Sequence, residues 1–291
     1  WAGGNVVGLS IIDPKKGTIK QLSSKEGLPN DRIANILEDD GGRIWLATDG
    51  GGILNIDLDS AVYKSLAMPD SVENATRMDR IILGNNGELW LASRGYGLSV
   101  IDTKDASRRR LSNANGMVSD VISSIALGEN GQIWAITDNG LQLIDREKHE
   151  LTTFTRSEGL PANDGFDVIS HKNKIFLGTS NGLSILELID GINDNEDYWK
   201  VKTIGKDQGL TYVDFAQNSL SFDKDGRLWA GAGLNGSESL VIMDEIHEDT
   251  TACSSYITSL NILDKPRIFA DRQKIEQKTS TIDTLWARGK N

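Results

Sequence analysis

The sequence predicts an all-β protein, a β-propeller of four-stranded blades. Three observations lead there: an aromatic residue at a near-constant interval, a shared unit around each copy, and glycine turns that cut each unit into short strands. Tryptophan, once replaced by phenylalanine, recurs at Trp1, Trp45, Trp90, Trp134, Phe176 and Trp229, in steps of 44, 45, 44, 42 and 53. A period in the forties marks a repeat architecture. Glycine supplies 30 of the 291 residues and proline only 5, the composition of a folded chain rich in tight turns.

The unit is clearest in residues 27–57, GLPNDRIANILEDDGGRIWLATDGGGILNID. It returns at 116–145 as GMVSDVISSIALGENGQIWAITDNGLQLID, and again at 159–187 and 209–244. Within it, Ile33 to Leu37 reads as the first strand, Arg43 to Thr48 as the second, Ile53 to Asp57 as the third, and Val62 to Leu66 as a weaker outer strand. The turns DDGG, NNG, ENG and DKDG place glycine where a hairpin needs positive φ. The copy around Trp90 has lost the Gly-Leu entry and carries Val72 and Glu73 there. The first copy survives only as its second half, WAGGNVVGLSIID. The count is about five and a half to six blades over residues 1–250. Residues 251–291 follow as a closing strand or the start of a further domain. The chain opens inside a repeat and reads as a piece of a longer protein.

Each strand is apolar on both faces. Ile44 and Leu46 point one way, Trp45 and Ala47 the other, which suits a sheet covered by a neighbour on each side. The tryptophans are therefore expected to form a core ring between successive blades rather than a ligand-stacking ladder.

Strand alternation puts the loop into the first strand and the loop between the second and third on one face. That rim collects the entry loops, such as Pro29-Asn30-Asp31-Arg32, with Asp49, Arg94, Tyr96, Asp138, Asn139, Asn181 and Asn235. Amides, carboxylates and an aromatic ring suit a polyhydroxylated ligand. Many of these Asn and Asp residues are expected to cap their own turns. Arg94 and Tyr96 stand out because the other blades place small residues there, and Arg77 and Arg80 follow, in the blade that lost its Gly-Leu.

Other function classes are poorly served. With 31 basic and 42 acidic residues the net charge is −11, so a nucleic acid would be repelled. One cysteine, Cys253, permits neither an intrachain disulfide nor a cysteine-rich zinc site. His149, His171 and His247 fall in three different repeats at no common offset and are expected at the surface. The acidic run 190–197 fails the calcium-loop pattern, with Ile192 at position three. Arg108-Arg109-Arg110 is expected on an exposed outer strand. No catalytic set, cofactor site or metal site is expected.

The unit closely resembles the two-component regulator propeller repeat, and the resemblance extends over nearly all of residues 1–245. In that family such propellers form the periplasmic sensor region of membrane-spanning histidine kinases, notably the hybrid two-component regulators of gut Bacteroidetes. The resemblance implies a non-enzymatic, extracytoplasmic sensing module of an inner-membrane protein, with an oligosaccharide as ligand and control of glycan-use genes as output. It implies a homodimer in the full receptor, with kinase chemistry, phosphorelay and membrane contact outside these residues. Family propellers usually have seven blades, often with two propellers in series, so the resemblance implies that these blades are part of a seven-bladed ring and that residues 251–291, unless they supply a closing strand, start a truncated β-sandwich. Residues 256–263 look like the family's exit into a β-sandwich; alternatively they supply the missing inner strand of the first blade. A propeller lyase or hydrolase and a protein-binding scaffold propeller are the competing readings, because the fold alone does not define function.

Overall fold

The structure is a computed structural model that describes residues 2–3, 7–56, 63–66, 77–105, 107–189, 198–208, 210, 213–232, 239–243, 259–262 and 265–268. The chain divides into two compact units, Trp1–Glu245 and Ile246–Asn291. In the second, β23 (Ser259–Ile262) and β24 (Lys265–Ile268) pair as an antiparallel hairpin. The proposed boundary at 250/251, the acidic run 190–197, Asn235, His247 and Cys253 lie outside the described residues.

The first unit is a run of six antiparallel sheets. Blade 1 has three strands, β1 (Ala2–Gly3), β2 (Leu9–Asp13) and β3 (Thr18–Leu22). Blade 2 has β4 (Ile33–Glu38), β5 (Ile44–Thr48), β6 (Ile53–Ile56) and β7 (Tyr63–Leu66). Blade 3 has β8 (Met78–Leu83), β9 (Glu88–Ser93), β10 (Gly97–Asp102) and β11 (Arg108–Leu111). Blade 4 has β12 (Ile122–Leu127), β13 (Ile133–Thr137), β14 (Gly140–Asp145) and β15 (Glu150–Phe154). Blade 5 has β16 (Gly165–His171), β17 (Lys174–Thr179), β18 (Gly182–Ile189) and β19 (Tyr198–Ile204). Blade 6 has β20 (Phe215–Phe222), β21 (Leu228–Ala232) and β22 (Ser239–Met243). The four central repeats are thus complete blades, as the turn punctuation requires.

The blade entries explain the Gly-Leu of the repeat. Ser23 caps a single 3-10 turn, accepting from the Lys25 N–H, while Glu26 reaches back to the Ser23 N–H. This reciprocal capping recurs with Thr155 and Glu158, and with Ser112 and Asn115. Gly27, Gly116 and Gly159 close the turns at φ 104, 107 and 104, a left-handed conformation that favours glycine. The following Leu28, Met117 and Leu160 are buried. Asp31, Asp120 and Asn163 accept backbone N–H bonds from these turns, which makes them caps. The Thr and Gly beyond the tryptophan have a separate reason: Thr48, Ser93, Thr137 and Thr179 are buried and bond the carbonyls of Gly52, Gly97, Gly140 and Gly182. At Gly140, φ is 125 and a Cβ would sit 2.5 Å from the Phe154 carbonyl oxygen, so a side chain is excluded twice over.

Trp45, Trp90, Trp134 and Phe176 each face the next blade. Ile44 and Leu46 pack with Leu9 and Leu22 of blade 1, whereas Trp45 and Ala47 pack with Met78, Ile81, Leu89 and Leu91 of blade 3. Trp90 meets Ile122, Ile125 and Ile133 of blade 4, and Trp134 meets Val168, Ile175 and Leu177 of blade 5. The core-ring expectation holds for Trp45, Trp90, Trp134 and Phe176, all buried; Trp229 in blade 6 is half-buried.

The hairpin before the tryptophan comes in two versions. In blades 2 and 6, Asp39 and Asp223 accept the indole N–H of Trp45 and Trp229, each at 2.9 Å, together with Nε–H of Arg43 and Arg227 at 2.7 Å. Burial works against the charge of Asp39, yet the bonds from Trp45, Arg43 and Gly41 outweigh it and hold its carboxyl below the ordinary 3.8. Its stabilising contribution is therefore present above that value and lost as pH falls through the lower folded pKa. Asp39→Ala should cost about 1–3 kcal/mol by stranding the buried Trp45 N–H. Urea unfolding at pH 7 and pH 3 checks this: the gap from the parent protein should narrow at pH 3, and a gap that widens there contradicts the assignment.

Candidate functional site

The innermost strand of every blade from 2 to 6 carries a register shift near its start. The shifts fall at Ile33/Asn35, Met78/Arg80, Ile122/Ser124, Gly165/Asp167 and Phe215/Leu220. Such bulges re-aim side chains at the end of a strand. In four blades the residue just beyond the shift is polar: Asn35, Arg80, Ser124 and Asp167. Asn35 accepts from the Ile81 backbone N–H of the next blade, and the other three side chains meet one another across blades. Arg80 Nη1 lies 3.5 Å from Asp167 Oδ1 and 3.1 Å from Asn218 Oδ1, Ser124 donates to Asp167 at 2.8 Å, and the Leu220 N–H donates to it at 2.8 Å. Asp167 is fully buried. Burial pushes its carboxyl pKa up; the Arg80 charge and the hydrogen bonds only partly offset that.

At the rim above this plug lies a cavity of about 290 Å³ whose polar lining is Arg32, Asp49, Arg77, Asp79, Gln217 and Asn218. Asp79 is buried and clamped from both sides, by Arg77 Nε–H at 2.6 Å and Arg94 Nε–H at 2.7 Å. Both arginines also donate to Gln217 Oε1, at 2.8 and 3.2 Å. Arg32 pairs with Asp49 at 3.0 Å, and the Asp49 N–H donates to the Arg32 carbonyl, which puts both loops on one face as strand alternation requires. The lining offers fixed donors and acceptors side by side, an arrangement suited to hydroxyl groups.

Of the residues singled out in the sequence, Asp49 and Arg77 line this cavity, while Arg94 bonds its Asp79 and Gln217 and Arg80 bonds its Asn218. Tyr96 is placed differently: Arg110 covers its ring at 3.9 Å and it packs against the core between blades 2 and 3. Asp138, Asn139 and Asn181 sit in two-residue hairpin turns, where the Asn139 and Asn181 N–H groups donate to Thr137 and Thr179 hydroxyls; none of them lines the cavity. Arg108, Arg109 and Arg110 occupy an exposed outer strand. His171 departs from the expected surface position: it is half-buried and stacks on Phe222 at 4.0 Å because two hairpins meet there. Asp79, Asn218 and Gln217 were missed; the polar residues ten before Trp45, Trp90 and Trp134, in otherwise apolar strands, are a signal the sequence carries, but it marks their neighbours Asn35, Arg80 and Ser124. Among the described residues, no cluster of three or more His, Cys, Asp or Glu could hold a metal ion.

Residues 27–50 match the family model of the two component regulator propeller; the chain carries that repeat. Similar solved structures include the extracellular domains of two hybrid two component systems of B. thetaiotaomicron. One aligns with a TM-score of 0.65 at 17% identity, covering 92% of this chain and 34% of that one. The other gives 0.64 at 18%, covering 79% and 29%. Virginiamycin B lyase from Staphylococcus aureus aligns at 0.55 with 18% identity, covering 75% and 68%. These likenesses show the β-propeller fold. The chain spans about a third of the length of the sensor domains it resembles. Among curated proteins none matches the sequence.

Proposed function

We propose that this chain is the ligand-sensing part of the extracytoplasmic region of a two-component histidine kinase, and that its rim cavity binds an oligosaccharide. The observation that carries the binding claim is the cavity lining, where two carboxylates, two guanidinium groups and two amides are fixed by bonds to one another and to Arg94 and Arg80 beside them. The propeller repeat at 27–50 and the likeness to extracellular domains of hybrid systems support the sensing role. No helix among the described residues is long and apolar enough to cross a membrane, so the reading places the membrane anchor, kinase and phosphorelay elsewhere in the parent protein. Binding would shift a dimer between two signalling states in proportion to its differential affinity for them, with glycan-use genes as the output.

The test is a thermal melt with arabino-, xylo-, manno- and chondroitin oligosaccharides. One of them should raise the melting temperature, since a ligand at 100 times its Kd adds about 2.7 kcal/mol. Arg32→Ala should abolish the shift while leaving the unliganded melt within about a degree, because the Arg32 side chain is 55% exposed and, among the described residues, its only ion pair is with Asp49. Arg94 is a poorer choice, being half of the clamp on buried Asp79. A shift that survives Arg32→Ala, or no shift with any of the four, overturns the rim assignment. Turnover of the bound sugar would favour the lyase or hydrolase reading instead.

A further inference from the structure

We propose a second small-molecule site at the other end of the blades, in the groove between blades 3 and 4, that takes a single neutral sugar ring or a similar polyol. The strand-joining turns at that end enclose a cavity of about 280 Å³ lined by Asn85, Asn86, Trp90, Asn130, Gln132 and Asp145, among others. That volume is near the lower limit of ligand pockets.

Blades 3 and 4 make the same backbone turn as blades 2 and 6: the N–H groups of Asp39, Gly84, Gly128 and Asp223 donate to the carbonyls of Arg43, Glu88, Gln132 and Arg227. Six residues before the tryptophan, however, the carboxylate is replaced by Gly84 and Gly128. Trp90 is 1% exposed and its Nε1–H has no hydrogen-bond partner. A Cβ on Gly84 would lie 2.9 Å from that nitrogen, and both residues line the cavity. A buried donor without an acceptor is costly, and the residue that carries it borders a polar space. Trp134 has the same glycine, but Trp199 packs edge-on against its ring at 4.7 Å.

The remaining lining defines the ligand. Among the described residues, the side-chain amides of Asn85, Asn86 and Asn130 make no hydrogen bond, leaving donors and acceptors open. Arg146 is committed to Glu88, while Asp145 accepts from Gln132 and from the Glu147 and Lys148 N–H groups. The carboxylates of Asp145 and Glu147 beside the cavity disfavour an anion, and the indole N–H disfavours a cation. A neutral hydroxylated molecule accepts from Trp90 and exchanges bonds with the three amides.

The indole N–H is its own reporter. In the ¹⁵N-labelled 291-residue chain, the Trp90 indole cross-peak is assigned by its loss in Trp90→Phe, and D-glucose and D-galactose are titrated to about 100 mM. The expected result is a saturable shift of that peak with at least one sugar, weakened at least tenfold in both Asn85→Ala and Asn130→Ala, and abolished in Gly84→Asp, which supplies the internal acceptor found in blades 2 and 6. D-glucuronate should bind more weakly. A Trp90 peak unmoved by both sugars, or shifted equally in both amide variants, overturns the site, and equal binding of glucuronate overturns the neutral assignment. Arg32→Ala should leave the response intact; its loss there would mean the signal comes from the rim, so the two sites fail separately.

Discussion

Arg80→Met is expected to destabilise the protein by about 3–5 kcal/mol, because it removes the cation facing a fully buried carboxylate. Asp167 would keep Ser124 and the Leu220 N–H but lose its ion pair with Arg80, and Asn218 would lose its guanidinium donor. The pH dependence has a definite sign. Asp167 already titrates above its ordinary value, chiefly through burial, so the folded state holds its proton more tightly than the unfolded chain does. Stability therefore falls as pH rises from about 3.8 through the raised pKa, and the cost is constant above it. Without Arg80 that window widens upward and the fall deepens. Arg80→Met with Asp167→Asn should recover most of the loss and flatten the profile, since replacing both partners of a buried pair is often near neutral. Urea midpoints from pH 4 to 9 for the parent, single and double variants decide the matter. An unchanged midpoint in Arg80→Met, or a double variant no better than the single, would show that the channel plug is not held by this pair.

The blade pattern was open to inspection in the sequence because it rests on local chemistry. A continuous apolar run around Trp45, glycines that only a left-handed turn explains, and a hydroxyl four or three residues before a glycine are each readable over a dozen positions. The central strands came out within a residue of their ends, Ile33–Glu38 against the expected Ile33 to Leu37. The rim was half legible. Arg77 and Arg94 could be singled out because their blade departs from the others, but their shared target, Asp79, is recognisable only once a bulge turns it toward them. Gln217 and Asn218 lie some 140 residues from Arg77 and Arg80, a pairing no local pattern encodes. Tyr96 was misplaced for the same reason: the arginine that covers it stands on the next strand but is fourteen residues away. The contrast between Asp39 and Gly84 was in plain view, six residues before each tryptophan, yet its meaning depends on where the indole nitrogen points.

Trp134→Ala should cost about 3–5 kcal/mol, the usual penalty for emptying a large aromatic site in a close-packed core. Trp134 is 0% exposed and joins blades 4 and 5 through Val168, Ile175, Leu177 and Leu186. Its ring lies 5.7 Å from Phe154 and 4.7 Å, nearly perpendicular, from Trp199, contacts that add to the area it buries. For a domain of this size the melting temperature should fall by roughly ten degrees. Trp229→Ala, at a half-buried site in blade 6, should cost distinctly less. A phenylalanine series separates packing from hydrogen bonding. Trp45→Phe removes the N–H that Asp39 accepts and leaves that carboxylate with Arg43 and the turn, whereas Trp134→Phe removes an N–H with no partner. Trp45→Phe should therefore cost more than Trp134→Phe by about 1–2 kcal/mol, even though alanine at position 134 is severely disruptive. Calorimetric melts of the four variants would show it. Equal costs for the two phenylalanine variants would mean that the Asp39 bond contributes nothing net, and the distinction between the two hairpin versions would lose its energetic basis.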